Sequence, residues 1–252
     1  MKREKRRFSC VTAYDASFAR SAEAAGIETI LIGDSLGMVL QGHSTTLPVT
    51  IADMSYHTRC VSRAVTLPMV IADMPFMSYA SQPEAIGNAA ELMRAGAHMV
   101  KLEGGAWLFD TVKALAERGV PVCSHLGLTP QSVNSFGGWI VQGRNPEDAE
   151  RILADALGLQ EAGASMLVLE CVPRELASLI TARLSIPVIG IGAGAATDAQ
   201  VLVMHDLLGM NPRPPRFVRN FLSSGGSIQG ALEAYSNAVR EGSFPGPEHG
   251  FD

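Results

Sequence analysis

The chain has 252 residues, of which 47% are hydrophobic and only 18% charged, against roughly 25% charged in an ordinary globular domain. Its mean hydropathy is positive, +0.16, yet glycine, proline and acidic residues break every apolar run before the roughly 18 residues that a membrane span needs. With a net charge of −5, the molecule offers no electrostatic footprint for nucleic acid or an anionic membrane.

The one basic run, residues 2–7, holds five cations and one glutamate without interleaved aromatics, so it reads as a solvated tail. It has no apolar stretch of the kind a secretory signal carries. Beyond it, eight short β-rich segments alternate with alanine-rich stretches of helical spacing: 8–14, 29–32, 69–72, 99–102, 120–124, 166–169, 187–191 and 201–204. Divided into eight, the chain leaves about 31 residues per unit, the size of a strand plus its crossover helix. An internal echo supports the count. Gly26, Gly96 and Gly163 each stand seven or eight residues before an acid, Asp34, Glu103 and Glu170, as expected where a left-handed cap turns a helix into the next strand. Pro68, Pro121 and Pro187 mark strand entrances.

Two stretches lengthen the rhythm, and both follow strands. Residues 36–49 end in Thr50-Ile51-Ala52-Asp53, a capping box that predicts a helix start. Residues 126–144 end in Asn145-Pro146, a cap followed by proline at the first helical position. Between the seventh and eighth strands there is room for little more than one helical turn. The chain closes with an amphipathic helix whose stripe is Ile228, Ala231, Leu232, Tyr235 and Val239. The expected fold is α/β: a single (βα)₈ TIM-barrel domain over 1–252 with a C-terminal amphipathic helix. The four cysteines, at 10, 60, 123 and 171, form no CxxC pair and read as free thiols of a reducing cytosol.

Asp34, Asp73, Glu103, His125 and Glu170 stand at the predicted strand exits. In a barrel the C-terminal ends of neighbouring strands converge, so the first three carboxylates point to a shared hard cation, Mg²⁺ or Mn²⁺ rather than Zn²⁺. Acids at strand ends also serve as helix caps, an explanation that weakens when three of them sit on adjacent strands. Lys101 lies two residues before Glu103, on the same side of its strand, and needs an anionic partner if it is interior. Glu170 faces these groups from across the mouth as a candidate general base. His125 ranks second, since a histidine at a strand end is more often a structural hydrogen-bonding group. The run Gly190-Ile191-Gly192-Ala193-Gly194 is either an anion cradle or a tight packing turn, and it lacks the pattern of a dinucleotide site. Arg213, Arg216 and Arg219 read as a solvated or interface loop, with a polyanionic cofactor tail as the other use. Together, a carboxylate-held metal, a lysine and an opposed base suit enolisation of a 2-oxo acid.

At these same residues the chain resembles the ketopantoate hydroxymethyltransferase family. The matching runs are Thr12-Ala13-Tyr14-Asp15, GDSLGM at 33–38, QGHSTTLPVT at 41–50, ADMPFMSY at 72–79, RAGAHMVKLEGG at 94–105, HLGLTPQSVNSFGG at 125–138, LVLECVP at 167–173 and PVIGIGAG at 187–194. The resemblance implies a (βα)₈ barrel that moves a hydroxymethyl group from 5,10-methylenetetrahydrofolate to 3-methyl-2-oxobutanoate in pantothenate biosynthesis. It implies Asp34, Asp73 and Glu103 around Mg²⁺, Asp34, Ser35, Asp73 and Lys101 on the oxo acid, and Glu170 as proton acceptor. It further implies homo-oligomeric rings, often decamers, in the cytoplasm. Ile140 departs from the family, which often has lysine there. Two other readings stand beside this one: a lyase or mutase of the isocitrate lyase and phosphoenolpyruvate mutase superfamily, and a non-catalytic metabolite-binding barrel. No cysteine lies in the 126–145 loop, where such a lyase is expected to carry its acid.

Overall fold

A computed structural model describes Met1–Asp252. All eight expected strands are present: β1 (Phe8–Thr12), β2 (Thr29–Ile32), β3 (Met69–Asp73), β4 (Met99–Glu103), β5 (Val122–Gly127), β6 (Met166–Glu170), β7 (Val188–Ile191) and β8 (Ala199–Leu202). They pair in parallel, in sequence order, and β8 returns to β1 through the register Phe8↔Ala199 to Val11↔Leu202, which closes the barrel. Nearly every strand residue is buried, because one face fills the barrel and the other meets the helical layer.

Local signals explain the helix positions. Asp15 caps the helix Ala16–Ala24 by accepting from the backbone N–H groups of Ser17 and Phe18. Thr50 and Asp53 form the expected capping box of Ile51–Ser62, and Asn145 caps Pro146–Glu161. Gly26, Gly96 and Gly163 have φ of 73°, 107° and 109°, the left-handed backbone that glycine adopts without a steric penalty. β1 ends two residues earlier than expected and β5 runs over 122–127 rather than 120–124, and three further details differ. β8 begins two residues earlier than the periodicity indicated, at Ala199, because Gln200 is polar yet buried by bonds to Gly194 O and Thr197 Oγ1. The β7–β8 connection contains no helix. In the C-terminal helix Ile228–Glu241, Ala231, Leu232, Tyr235 and Val239 are buried, whereas Ile228 is 44% exposed. Ile228 is the helix's first residue and projects past the surface its stripe covers. That helix braces the closure: the Tyr235 hydroxyl lies 2.9 Å from Cys10 O and 2.8 Å from Gln200 O, spanning β1 and β8.

Candidate active site

The C-terminal ends of the strands surround a cavity of about 380 Å³, lined by Asp34, Ser35, Asp73, Lys101, Glu103, His125 and Glu170 among others. Every site residue read from the sequence therefore faces one space. Register explains the convergence, since Asp73 pairs with Lys101, Glu103 with His125, and Gly127 with Glu170 on successive strands. Gly127 permits the last of these: its φ is +92°, and a Cβ there would stand 2.2 Å from the Glu170 carbonyl oxygen. Cys171, directly after Glu170, is left-handed at φ 46°, an uncommon conformation for a non-glycine residue. Its N–H is held by Ile191 O and its carbonyl by Gln142 N–H.

Charge is concentrated and buried. The Lys101 ammonium stands 3.1 Å from Asp73 Oδ1 and 3.3 Å from Glu103 Oε1, with His125 Nδ1 3.3 Å away. His125 bridges two acids: Nδ1 lies 3.0 Å from Glu103 Oε1, and Nε2 lies 3.4 Å from Glu170 Oε2. Burial alone would lower the Lys101 ammonium, but Asp73, Glu103 and Asp34 outweigh it and hold it well above its ordinary range. Burial would likewise raise Glu103, yet Lys101 and His125 bring it down to about 2. Burial and Lys101 oppose the His125 cation, and the attraction of Glu103 overcomes them, so its pKa is raised. Asp34 goes the other way. Burial, then the Asp73 and Glu103 charges, push its carboxyl well above the carboxylate range. Burial raises Asp73 as well, against the pull of Lys101.

Gln131 ties the site together. Its side-chain amide donates to Asp34 Oδ2 and Met74 O, both at 2.9 Å, and its backbone N–H donates to Glu103 Oε2 at 3.0 Å. Its carbonyl accepts from the Tyr79 hydroxyl, and Tyr79 stacks on Trp107. A neutral glutamine attracts no notice among titratable residues, although its place in the long 126–144 segment marks it as a mouth residue. Tyr14, whose hydroxyl lies 2.9 Å from Ser35 Oγ, was also outside the strand-exit set. So was Asp206, which lines the cavity from the one-turn helix Met204–Leu207 rather than from a strand end.

Asp34 and Asp73 form a close pair: the Asp34 N–H donates to Asp73 Oδ2 at 3.0 Å. Glu103 shares Lys101 with Asp73, and its charge acts on both aspartates. No three His, Cys, Asp or Glu groups gather closely enough to enclose an ion, because Lys101, His125 and Gln131 N–H occupy the Glu103 oxygens. Asp73 Oδ1 has the Lys101 ammonium as its one polar partner, and Thr46 Oγ1, in the same cavity, is buried without a hydrogen-bond partner. Two buried, repelling carboxylates that share one lysine with Glu103 fit a hard divalent cation that keeps part of its shell for water and substrate, as Mg²⁺ does. The glycine run after β7 packs tightly: Gly190 abuts Thr197, Gly192 abuts Phe217, and Gly194 abuts Arg174. These close approaches are those of a tight packing turn. Ile140 is 47% exposed, while its neighbour Trp139 lines the cavity.

The fold and this site define a (βα)₈-barrel enzyme with a carboxylate and lysine cluster at its C-terminal mouth. Residues 1–247 match the family described as "Ketopantoate hydroxymethyltransferase". The 3-methyl-2-oxobutanoate hydroxymethyltransferase of Colwellia psychrerythraea is 61% identical over 252 residues, covering 100% of this chain and 96% of that protein. The protein of the same name from Shewanella oneidensis is 60% identical over the same coverage. The chain belongs to the ketopantoate hydroxymethyltransferase family and is a transferase. Among solved structures, a phosphonopyruvate hydrolase complex with oxalate and Mg²⁺ superimposes with a TM-score of 0.62 at 12% identity, covering 98% of this chain and 89% of the other. A phosphoenolpyruvate phosphomutase from Streptomyces platensis gives 0.63 at 17% identity, covering 81% and 78%. These two likenesses concern the fold alone. Family membership decides against both the superfamily lyase and the non-catalytic barrel.

Proposed function

We propose that the chain transfers a hydroxymethyl group from 5,10-methylenetetrahydrofolate to 3-methyl-2-oxobutanoate, giving 2-dehydropantoate for pantothenate biosynthesis. One observation carries the reading: Glu170 on β6 and the Asp34, Asp73 and Lys101 group from the β2–β4 side line the same cavity. The oxo acid needs a cationic and metal-binding side for its two adjacent oxygens and an opposed base for C3. Asp34, Asp73 and Glu103 would hold Mg²⁺. Bound there, the metal supplies Lewis-acid stabilisation of charge on the keto oxygen.

The chain's own groups perform the rest. Lys101 and Ser35 hold the substrate oxygens, and Ser35 is steadied by Tyr14. Glu170 takes the C3 proton as the C3–H bond breaks. Water attacks the donor's methylene carbon as both of its C–N bonds break, its two protons going to the folate nitrogens, so that tetrahydrofolate leaves and the carbon remains as formaldehyde. The electron pair released at C3 forms the new bond to that carbon, and its oxygen becomes the hydroxyl by taking the proton held on Glu170. His125, beside Glu170 Oε2, keeps that carboxylate aimed into the cavity.

A cytoplasmic homo-oligomer, a decamer as the resemblance implies, belongs to the same reading. Leu67, Met77, Trp107 and Met210 are each more than 60% exposed, which is apolar surface suited to subunit contacts, and the four cysteines are free thiols. No helix is long and apolar enough to cross a membrane. The test is solvent deuterium exchange at C3 of 3-methyl-2-oxobutanoate, with Mg²⁺ and without donor, followed by formation of 2-dehydropantoate on adding methylenetetrahydrofolate. Absence of both from folded, Mg²⁺-supplied protein overturns the reading.

A further inference from the structure

The cavity has further polar lining that does not come from the strands carrying the acids and the lysine. Asp206 lines it from the first turn after β8 and is 8% exposed, yet it pairs with no lysine or arginine. Its one hydrogen-bond partner is Asn211, whose side-chain amide donates to Asp206 Oδ1 at 3.0 Å. A buried carboxylate without a cation is costly, and burial raises its pKa. Asn211 also organises the loop that follows, because its Oδ1 accepts the Arg213 N–H at 3.0 Å. Arg213 is exposed, enters no ion pair and lines the same cavity. Trp139, Pro215 and Phe217 add apolar lining to the cavity. The same cavity thus presents a buried acid, an apolar surface and an exposed cation.

We infer that this lining binds the one-carbon donor, with Asp206 receiving the pterin ring, Trp139 and Phe217 flanking the aminobenzoyl group, and Arg213 meeting the glutamate tail. The chemistry matches part by part. A reduced pterin offers a ring N–H and an adjacent exocyclic amine, two parallel donors that a carboxylate accepts together. The aminobenzoyl ring suits an aromatic and proline surface. The tail carries carboxylates, which a guanidinium outside the buried region can pair without desolvating the ligand. A five-carbon oxo acid uses none of these groups and occupies only the end of the cavity near Lys101. This inference rests on the proposed transferase reaction, since it supplies the site of that reaction's donor.

The test separates the two. Binding of tetrahydrofolate and of 3-methyl-2-oxobutanoate is measured by calorimetry on the Mg²⁺-supplied protein, alongside donor-free C3 exchange. Asp206→Asn is expected to weaken tetrahydrofolate binding about 10- to 100-fold, the range for losing a hydrogen-bonded charge, with the oxo-acid Kd not following. Arg213→Ala, a surface change that does not threaten folding, is expected to erase the preference for tetrahydrofolate over tetrahydropteroate, which lacks the glutamate. Unchanged tetrahydrofolate binding in Asp206→Asn, or an undiminished glutamate preference in Arg213→Ala, overturns the donor site. Wild-type protein that exchanges no C3 deuterium overturns the transferase mechanism instead.

Discussion

The two ends of the barrel use the same residue types to opposite effect. At the N-terminal end each acid or amide is paired with backbone. Glu28 accepts the Ser9 N–H and hydroxyl and pairs with Arg240. Asp198 accepts the Val188 N–H and pairs with Lys2. Glu23 accepts the Thr66 and Leu67 N–H groups, and Gln160 accepts those of Ser185 and Ile186. These side chains complete the hydrogen bonding of turns and strand starts. At the C-terminal mouth the acids face one another instead. Asp34 and Asp73 are buried side by side, and one lysine answers several carboxylates. The first end is arranged for stability. The second holds charge that the fold alone does not satisfy, which is the mark of a site waiting for a ligand.

The largest effect should come from removing the base at the mouth. Glu170→Gln keeps the shape and the contact to His125 but cannot accept the C3 proton. Donor-free deuterium exchange should fall about 10²- to 10⁴-fold, the usual weight of general-base catalysis, while the melting temperature stays near that of wild type. Exchange as fast as wild type would remove Glu170 from the base role. Next comes Lys101→Met, which leaves Asp73 and Glu103 buried without their cation. Breaking a buried pair costs about 3–5 kcal/mol, so denaturant unfolding should show a loss of that order together with loss of activity. A stability loss under 1 kcal/mol would mean that water, not Lys101, compensates those acids.

Much of the barrel is legible in the sequence, because buried parallel strands are short apolar runs and the glycine and proline punctuation is local. Strand exits then single out Asp34, Asp73, Lys101, Glu103, His125 and Glu170 by chain position alone, and the structure brings all of them to one cavity. What stays hidden depends on loop conformation. Gln131 reaches Asp34 and Glu103 only because the loop after β5 folds back over the mouth. Nor does a strand-exit count tell which acids pair. Lys101 is shared by Asp73 and Glu103, and His125 by Glu103 and Glu170, pairings set by distances that no spacing encodes. The start of β8 is obscured for a related reason, since Gln200 counts as polar in a pattern but is satisfied inside the fold.

A smaller and opposite effect should follow from Asp34→Asn. The folded pKa of Asp34 lies above its ordinary value, so the native state is penalised wherever the group is ionised, and the penalty lifts as pH falls through the raised pKa. Metal-stripped Asp34→Asn should therefore melt higher than wild type at neutral pH, by about 2–4 °C per kcal/mol relieved, while losing Mg²⁺-dependent exchange. Glu103 has the reverse sign. Held at about 2 against 4.5, it contributes stability that is complete above 4.5 and lost as pH falls toward 2. The wild-type stability profile should thus lose its upper-pH slope in Asp34→Asn and its acid limb in Glu103→Gln. Lower melting of metal-free Asp34→Asn would contradict the claim that the mouth carries unsatisfied charge.

The smallest effect belongs to the other end. Arg240 reaches Glu28 from the last turn of the C-terminal helix, with Nε 3.0 Å and Nη2 2.9 Å from the same carboxylate oxygen. The pair is partly exposed, so solvent screening limits it, and Arg240→Ala should cost at most about 1 kcal/mol. Added salt should narrow the gap between variant and wild type. Glu28 keeps its bonds to Ser9 in the variant, so the β1 entrance stays closed and C3 exchange should match wild type. If Arg240→Ala instead slowed exchange at unchanged stability, the two ends of the barrel would be coupled, and the division between a structural end and a chemical end would fail.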